Sequence, residues 1–300
     1  MTERVVQVEH LSRQFGKTTA LNDVSLTLEP GLVYGLVGAN GAGKTTLIKH
    51  LMGLLRAKHG SVKVFGVDPV REPVNVLSRI GYLSEQRDLP EWMQIDEMLE
   101  YLSAFYPAWD RAYVAELLET FALDASKKVK QLSKGMRAQA GLIAAVAHHP
   151  ELLLLDEPST GLDAVVRKDI LNAVIRAVAD NGRTVLFSSH LLDEVELMSD
   201  HVFMINQGKL VLEGSLEDIR EQHQVLSVRF DSCNQSLPKI DGILAAERHG
   251  KQWHVVCNGN QAHVRQTLAD VGGQVEHLRT ASLQEIFVAR VGRARQSEEG

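Results

Sequence analysis

Cysteine is scarce in this sequence, with only Cys233 and Cys257 among 300 residues. Two thiols cannot build a disulfide scaffold, and such a low content suits a reducing compartment. We expect both to be buried thiols rather than metal ligands.

Long apolar runs are missing as well. The longest, such as residues 142–147 and 152–155, fall far short of the ~18 residues that a membrane-spanning helix needs. The N-terminal residues MTERVVQVEH are charged and lack the apolar core of a signal peptide. We therefore expect a cytoplasmic chain, and any work at a membrane would require another subunit.

An excess of basic charge is also absent. The sequence has 32 Lys and Arg against 38 Asp and Glu, a net charge of -6. General nucleic-acid binders usually carry a basic excess, so no nucleic-acid partner is expected. With 44% hydrophobic and 23% charged residues the composition is globular, and the length allows about two domains.

The pattern of apolar residues predicts the fold class. Alternating apolar and polar residues at 4–9 and 24–28 predict half-buried antiparallel strands. Nearly continuous apolar strands, separated by helical stretches, are predicted at 32–37, 152–155 and 184–188. The chain is thus predicted to be α/β, with a mostly parallel sheet and an antiparallel N-terminal β subdomain.

Two further regions depart from this alternation. Eight of the sixteen aromatic residues lie in 82–121, where apolar residues at helical spacing through 98–109 predict an inserted helical subdomain at about 86–150. Beyond the first domain, 1–220, strands and helices predict a small C-terminal α+β accessory domain, 221–300. Its last residues, RARQSEEG, are expected to form a frayed polar tail.

A phosphate-binding pattern, GxxxxGK[ST], follows the first buried strand and precedes a helix. Glycines let backbone N–H groups point at phosphates, and the helix N-terminus adds positive potential. This predicts a P-loop NTPase core, in which Lys44 bridges the β- and γ-phosphates and the Thr45 hydroxyl ligates Mg²⁺. The loop comprises Gly38, Ala39, Asn40, Gly41, Ala42, Gly43, Lys44, Thr45 and Thr46.

An acidic pair follows a second buried strand, where four leucines precede Asp156 and Glu157. Ligands of parallel sheets bind beyond the carboxyl ends of the strands. Asp156 is therefore expected to hold Mg²⁺ through water, and Glu157 to polarise the attacking water.

The sequence Leu132-Ser133-Lys134-Gly135-Met136 lies upstream of the acidic strand. It resembles the signature LSGGQ of the ATP-binding cassette (ABC) transporter family, an element that P-loop kinases and GTPases lack. With the two motifs above, it makes the chain similar to the nucleotide-binding subunit of an ABC transporter. Lys134 and Met136 depart from the family pattern, and a helix is expected to begin near Met136. Ser133 and Gly135, which by this resemblance reach the γ-phosphate held by a partner copy, are retained.

Other positions match further motifs of the family. Asp163 ends the D-loop STGLD, His190 matches the switch histidine, and Phe15 resembles the aromatic residue that stacks on adenine. At the Q-loop, Glu85 stands where the family has glutamine, with Gln86 one residue later. A carboxylate can still hold Mg²⁺ or its water, and the register between the two residues stays open.

The resemblance covers about residues 3–220 and implies an ATPase with ATP and Mg²⁺ at its site, and with Lys44, Glu157 and His190 as catalytic residues. It implies a separate membrane permease subunit at the inner face of the cell membrane. It also implies a second copy, or a homologous subunit, arranged head to tail. The LSKGM variant and the ending SLQEIF fit the exporter-type subgroup, and Trp92 of the helical subdomain is the expected permease contact.

Two other function classes stay open at this point. A soluble ABC ATPase that acts on ribosomes or DNA usually has two cassettes, a long insert or zinc-binding cysteines, whereas this chain has one cassette and a short insert. A regulatory module that binds ATP without turnover is disfavoured by the intact Lys44, Asp156, Glu157 and His190.

Overall fold

The computed structural model describes residues 4–179, 182–231, 237 and 240–298. The chain divides into two compact units, Met1–Glu213 and Gly214–Gly300. Within the described ranges, no helix combines the length and apolar character required to cross a membrane. Cys233 lies outside them.

The described residues form strands and helices in the following order. The strands are β1 (Val6–Phe15), β2 (Thr18–Leu28), β3 (Val33–Val37), β4 (His59–Val64), β5 (Ile80–Leu83), β6 (Leu152–Asp156), β7 (Thr184–Ser189), β8 (His201–Asn206), β9 (Lys209–Ser215), β10 (His223–Arg229), β11 (Ile243–His249), β12 (Gln252–Asn258) and β13 (Gln274–Thr280). The helices are α1 (Lys44–Leu51), α2 (Pro73–Leu77), α3 (Ile95–Ser103), α4 (Arg111–Thr120), α5 (Lys134–Val146), α6 (Ala164–Ala179), α7 (Leu192–Met198), α8 (Leu216–Gln222), α9 (Gln261–Asp270) and α10 (Leu283–Glu298). A short 3-10 helix covers Val129–Gln131.

The N-terminal strands form an antiparallel sheet in the order β2-β1-β4. Val6 pairs with Leu28 and Val8 with Leu26, which confirms the predicted antiparallel pairing. β1 continues well beyond residue 9, where the alternation of apolar residues ends. The reason is a register shift after Val8, accompanied by a positive φ at His10, which breaks the period of two.

A six-stranded sheet, in the order β5-β6-β7-β3-β8-β9, forms the centre of the first unit. The pairs β5–β6, β6–β7, β7–β3 and β3–β8 are all parallel. All residues of β3, β6 and β7 are buried, as expected for a parallel sheet with both faces covered. Val37 pairs with Ser189 and Asp156 with Ser188, so the carboxyl ends of these three strands meet at one edge.

The predicted helical segment lies between β5 and β6 and contains α3, α4 and α5. The apolar residues at helical spacing through 98–109 do not all lie on one helix, because α3 ends at Ser103. Pro107 follows closely, and the residue before a proline avoids the helical region. α4 begins after Asp110, whose carboxylate accepts a hydrogen bond from the Tyr113 N–H at 2.9 Å.

α5 lies directly on β5 at two glycines. A Cβ on Gly81 would overlap the carbonyl oxygen of Ala145. A Cβ on Gly141 would lie 2.7 Å from the Leu83 side chain. Gly81 has no room for a side chain against the helix backbone, and a side chain at Gly141 would have to displace Leu83, so the helix and the strand lie unusually close together.

The second unit has a four-stranded sheet in the order β11-β12-β10-β13. Residues of β10, β12 and α9 form its core, among them Leu226, Val255 and Leu268. Cys257 is a buried free thiol, as expected. α10 continues to Glu298, so a frayed tail is wrong for residues 293–298.

The start of α10 explains the serine and glutamate in the ending SLQEIF. The Ser282 N–H donates to the Glu285 carboxylate at 3.0 Å, and the Glu285 N–H donates to the Ser282 hydroxyl at 3.3 Å. This is a reciprocal capping box. The Arg279 guanidinium also binds the carboxylate and, with the serine bonds, lowers the pKa of Glu285 to about 2.

Candidate functional site

The phosphate loop connects β3 to α1 and is held against two other strands. A Cβ on Gly38 would overlap the carbonyl oxygen of Ile205 in β8. Gly43 has φ +114°, and a Cβ there would overlap the carbonyl oxygen of Ala20 in β2. Only glycine fits at these two positions, which explains the sequence pattern.

The remaining loop residues differ in exposure. Those at the tip are exposed, namely Ala39, Asn40 and Gly41. Ala42 is buried, and its N–H donates to the Ala39 carbonyl at 3.0 Å. Thr45 and Thr46 lie half-buried in the first turn of α1.

The Lys44 side chain joins the phosphate loop to the acidic strand. Its Nζ donates to the Gly38 carbonyl at 2.6 Å and lies 3.0 Å from Glu157 Oε1. The side chains of Lys44 and Glu157 are only 6% and 5% exposed. A buried ammonium and a buried carboxylate thus neutralise each other at the edge where the strands end.

Glu157 has two further partners. Its Oε2 accepts a hydrogen bond from the Thr160 hydroxyl at 2.8 Å and lies 2.7 Å from Nδ1 of His190. Burial raises the pKa of Glu157, but the bonds from Thr160, Lys44 and His190 outweigh it and hold the pKa below its usual value. The carboxylate is therefore ionised at neutral pH, as a base that polarises water must be.

Asp156 lies beside this group and has its own support. The Ser188 hydroxyl donates to Asp156 Oδ1 at 2.7 Å and accepts from the Glu157 N–H at 2.9 Å. One serine of β7 therefore fixes both acidic residues at the end of β6.

The candidate Mg²⁺ ligands lie around one cavity of about 600 Å³, which Thr45, Glu85, Gln86 and Asp156 all line. Hydroxyl and carboxylate oxygens suit Mg²⁺, which usually takes one or two carboxylates together with nucleotide phosphates. Within the described ranges, no group of three or more His, Cys, Asp or Glu could hold a metal ion by itself. The donor set therefore fits Mg²⁺ bound jointly with a nucleotide, and both Glu85 and Gln86 stay candidates.

The signature segment forms the start of α5. Ser133 caps the helix, because its hydroxyl accepts a hydrogen bond from the Met136 N–H at 3.2 Å. The helix therefore begins at Lys134, and the expected start near Met136 is wrong by two residues. Gly135 is buried against Val166, and the Lys134 side chain extends over Gly161 of the same chain.

Phe15 and Asp163 lie outside these contacts. Phe15 ends β1, is 45% exposed, and has the Arg13 guanidinium carbon 4.7 Å from its ring centroid. Asp163 Oδ1 accepts from the N–H groups of Val165 and Val166 at 3.0 and 3.1 Å and so caps α6. Within the described part of the chain, neither residue is hydrogen-bonded to Lys44, Glu157 or His190.

Sequence reasoning missed two buried charged residues behind the site. Glu194 of α7 accepts hydrogen bonds from the Ser159 and Ser189 hydroxyls at 2.6 and 3.2 Å, and burial raises its pKa. It therefore ties the D-loop to the end of β7. An acid within LLDEVE, one helical turn after His190, was the available signal. Arg87, next to the Q-loop pair, is the second such residue, and no local pattern marks it.

Comparisons with known proteins agree with this geometry. Residues 21–160 match the ABC transporter family. The chain is 32% identical to the uncharacterised ABC transporter ATP-binding protein YhaQ of Bacillus subtilis (strain 168), over 96% of this chain and 99% of that protein. It is also 32% identical to the bacitracin transport ATP-binding protein BcrA of Enterococcus faecalis, over 84% of this chain and 80% of that protein. A solved ATP-binding subunit of an ABC transporter aligns with TM-score 0.66 and 29% identity, covering 72% of this chain and 92% of that one. The chain therefore belongs to the ATP-binding subunits of ABC transporters, which bind and hydrolyse ATP to power transport.

Proposed function

We propose that this chain is the ATPase of an exporter and works at the inner face of the cell membrane with a separate permease. The observation that carries this proposal is the contact of Lys44 and His190 with the ionised Glu157. An ammonium for phosphate binding and a base for water lie side by side, an arrangement suited to turnover rather than to binding alone. The exporter-type signature and a relative named for bacitracin transport support export.

The chain's own residues divide the chemistry. Lys44 would bind the β- and γ-phosphates, and Phe15 would stack on adenine. Glu157 would accept a hydrogen bond from the attacking water and hold it in line, while His190 would contact the γ-phosphate. These roles amount to positioning and electrostatic stabilisation, the main contributions to phosphoryl transfer.

Mg²⁺ would be held by Thr45, by Asp156 through water and by Glu85 or Gln86, together with phosphate oxygens. Its positive charge neutralises charge that develops on the transferring group.

A complete site would need a second copy or a homologous subunit. Ser133 caps a thirteen-residue helix, whose N-terminal N–H groups and dipole favour a phosphate anion. In this arrangement Ser133 and Gly135 would contact the γ-phosphate of the ATP bound to the partner. Asp163 of the D-loop would also face the partner copy. Residues 1–220 would then be the ATPase domain and 221–300 an accessory domain, with a boundary close to that between the two compact units at Glu213.

Replacement of the signature serine tests this arrangement. Ser133→Arg should bind ATP as a monomer with unchanged Kd but fail to hydrolyse it, because a bulky cation replaces the capping hydroxyl at the expected phosphate position. Calorimetry gives the Kd and phosphate release gives kcat. Ser126→Arg, an exposed serine of the same subdomain, should keep normal turnover. Mixing Ser133→Arg with Lys44→Ala chains should restore activity, because one of the two composite sites is then intact. Full activity of Ser133→Arg alone would contradict a role in trans.

Trp92 is the proposed permease contact. It is 71% exposed. The carbonyls of its neighbours Glu91 and Met93 accept hydrogen bonds from the N–H groups of Lys130 and Val129 at 3.1 and 2.9 Å. These hydrogen bonds hold the backbone on both sides of Trp92, so the exposed indole is presented from a fixed segment.

Co-purification tests the membrane assignment. The tagged chain, co-expressed with a candidate permease subunit, should retain that protein in mild detergent. Trp92→Ala should reduce the retained amount severalfold without changing the ATPase rate of the isolated chain. Val74→Ala, at a valine that is 81% exposed, is the matched control. Co-purification with ribosomes or DNA instead would favour the soluble class of ABC ATPase.

A further inference from the structure

Arg87 is a buried arginine immediately after the Q-loop pair. It is 3% exposed and has a positive φ of 52°. Its Nη2 donates to the carbonyl oxygens of Pro158 and Thr160 at 3.1 and 2.9 Å. The guanidinium therefore holds the turn that directly follows Glu157.

The positive charge of Arg87 is only weakly compensated. Within the described ranges no carboxylate lies at ion-pair distance from Arg87, the Glu85 carboxylate attracts it from farther away, and its Nε and Nη1 have no hydrogen-bond partner. Burial outweighs the attraction of Glu85 and lowers the pKa of the guanidinium. A buried charge without an ion-pair partner is costly, and an apolar side chain would fill the same space at lower cost. The cost indicates a purpose other than stability.

The turn that Arg87 holds is itself strained. Glu157 has φ +50°, an uncommon conformation for a residue other than glycine. Thr160 closes the turn through its N–H, which donates to the Glu157 carbonyl at 3.2 Å. The Thr160 hydroxyl also donates to the Glu157 carboxylate at 2.8 Å. A fixed Thr160 backbone therefore fixes the direction of the carboxylate.

We propose that Arg87 is a positioning residue for ATP hydrolysis, which orients the Glu157 carboxylate by holding Thr160. The Arg87 N–H donates to the Ser84 hydroxyl at 3.0 Å, so the orientation of Glu157 depends on the segment that carries Glu85. This inference rests on the proposed role of Glu157 as the base.

Arg87→Met is the first test. We expect kcat to fall by about 10- to 100-fold, the effect of a small misplacement of a catalytic group, with the KM and Kd for ATP unchanged. Arg79→Met is the matched control, because Arg79 precedes the other end of β5 and pairs with Glu151. It should lower the melting temperature and leave kcat within about twofold. Arg87→Lys keeps the charge on a shorter side chain and should restore part of kcat.

A double-mutant comparison separates positioning from general damage. In single-turnover measurements, Arg87→Met added to Glu157→Gln should cause no further loss, because there is no longer a base to position. If the methionine variant does not fold, Arg87→Lys added to Glu157→Gln provides the same comparison. Multiplicative losses, or a kcat of Arg87→Met equal to that of Arg79→Met, would overturn the inference. Turnover by Glu157→Gln at the normal rate would instead overturn the proposed role of Glu157 as the base, on which this inference rests.

Discussion

Glu157→Gln should bind ATP as tightly as the unmodified chain and lose about 10²- to 10⁴-fold in turnover, the usual contribution of a general base. Glutamine keeps the size of the side chain and can still accept the hydrogen bond from Thr160. It cannot carry the negative charge that Lys44 and His190 stabilise here. Because the γ-phosphate then persists, the variant should accumulate as an ATP-bound dimer in size-exclusion chromatography with ATP and Mg²⁺.

Glu151→Gln is the control for this experiment. Glu151 directly precedes the same strand at its opposite end, where its carboxylate is exposed and pairs with Arg79. Its replacement should leave turnover and oligomeric state unchanged. A Glu157→Gln chain that stays monomeric with ATP and Mg²⁺ would contradict the head-to-tail dimer, in which both copies contact each ATP.

Lys44→Ala should weaken ATP binding by well over tenfold, since a buried charge-assisted contact to phosphate contributes more than ~1.4 kcal/mol. The loss also removes the ammonium that helps to lower the pKa of Glu157. Less then opposes the effect of burial and the pKa of Glu157 rises, so the acid limb of any residual activity should move to higher pH. Calorimetry measures the first effect and a pH–rate profile the second.

Lys63→Ala, an exposed lysine of β4, controls for the loss of a positive charge. Its Kd for ATP should match that of the unmodified chain. Equal affinities of Lys44→Ala and the unmodified chain would exclude the phosphate role of Lys44.

Features of the fold that are encoded within a short stretch of sequence were predictable. β3 and β6 are buried on both faces, so their apolar runs are continuous and unambiguous. The phosphate loop was predictable because its glycines, Lys44 and Thr45 form one short contiguous motif, although the backbone atoms that exclude a Cβ at Gly38 and Gly43 belong to Ile205 and Ala20.

Features that depend on distant partners were not predictable in this way. The importance of Arg87 is evident only from its hydrogen bonds to the carbonyl groups of Pro158 and Thr160, which lie more than seventy residues away in the chain. β13 was missed because it is an edge strand with nearly every residue exposed, so its sequence shows no alternation of apolar residues.

The glycine contact between β5 and α5 has a consequence for how the site responds to a partner. Ser133 caps the start of α5, and β5 leads directly into the segment that ends at Arg87. Because a backbone oxygen of the helix lies directly against Gly81, with no side chain between them, the helix and the strand cannot slide past each other at this point by changing rotamers. We therefore expect a displacement of the signature end of the helix to reach, through backbone packing, the residues that hold the Glu157 carboxylate. Gly81→Ala would force the helix and the strand apart. It would thereby weaken the coupling between the arrival of the partner copy and hydrolysis.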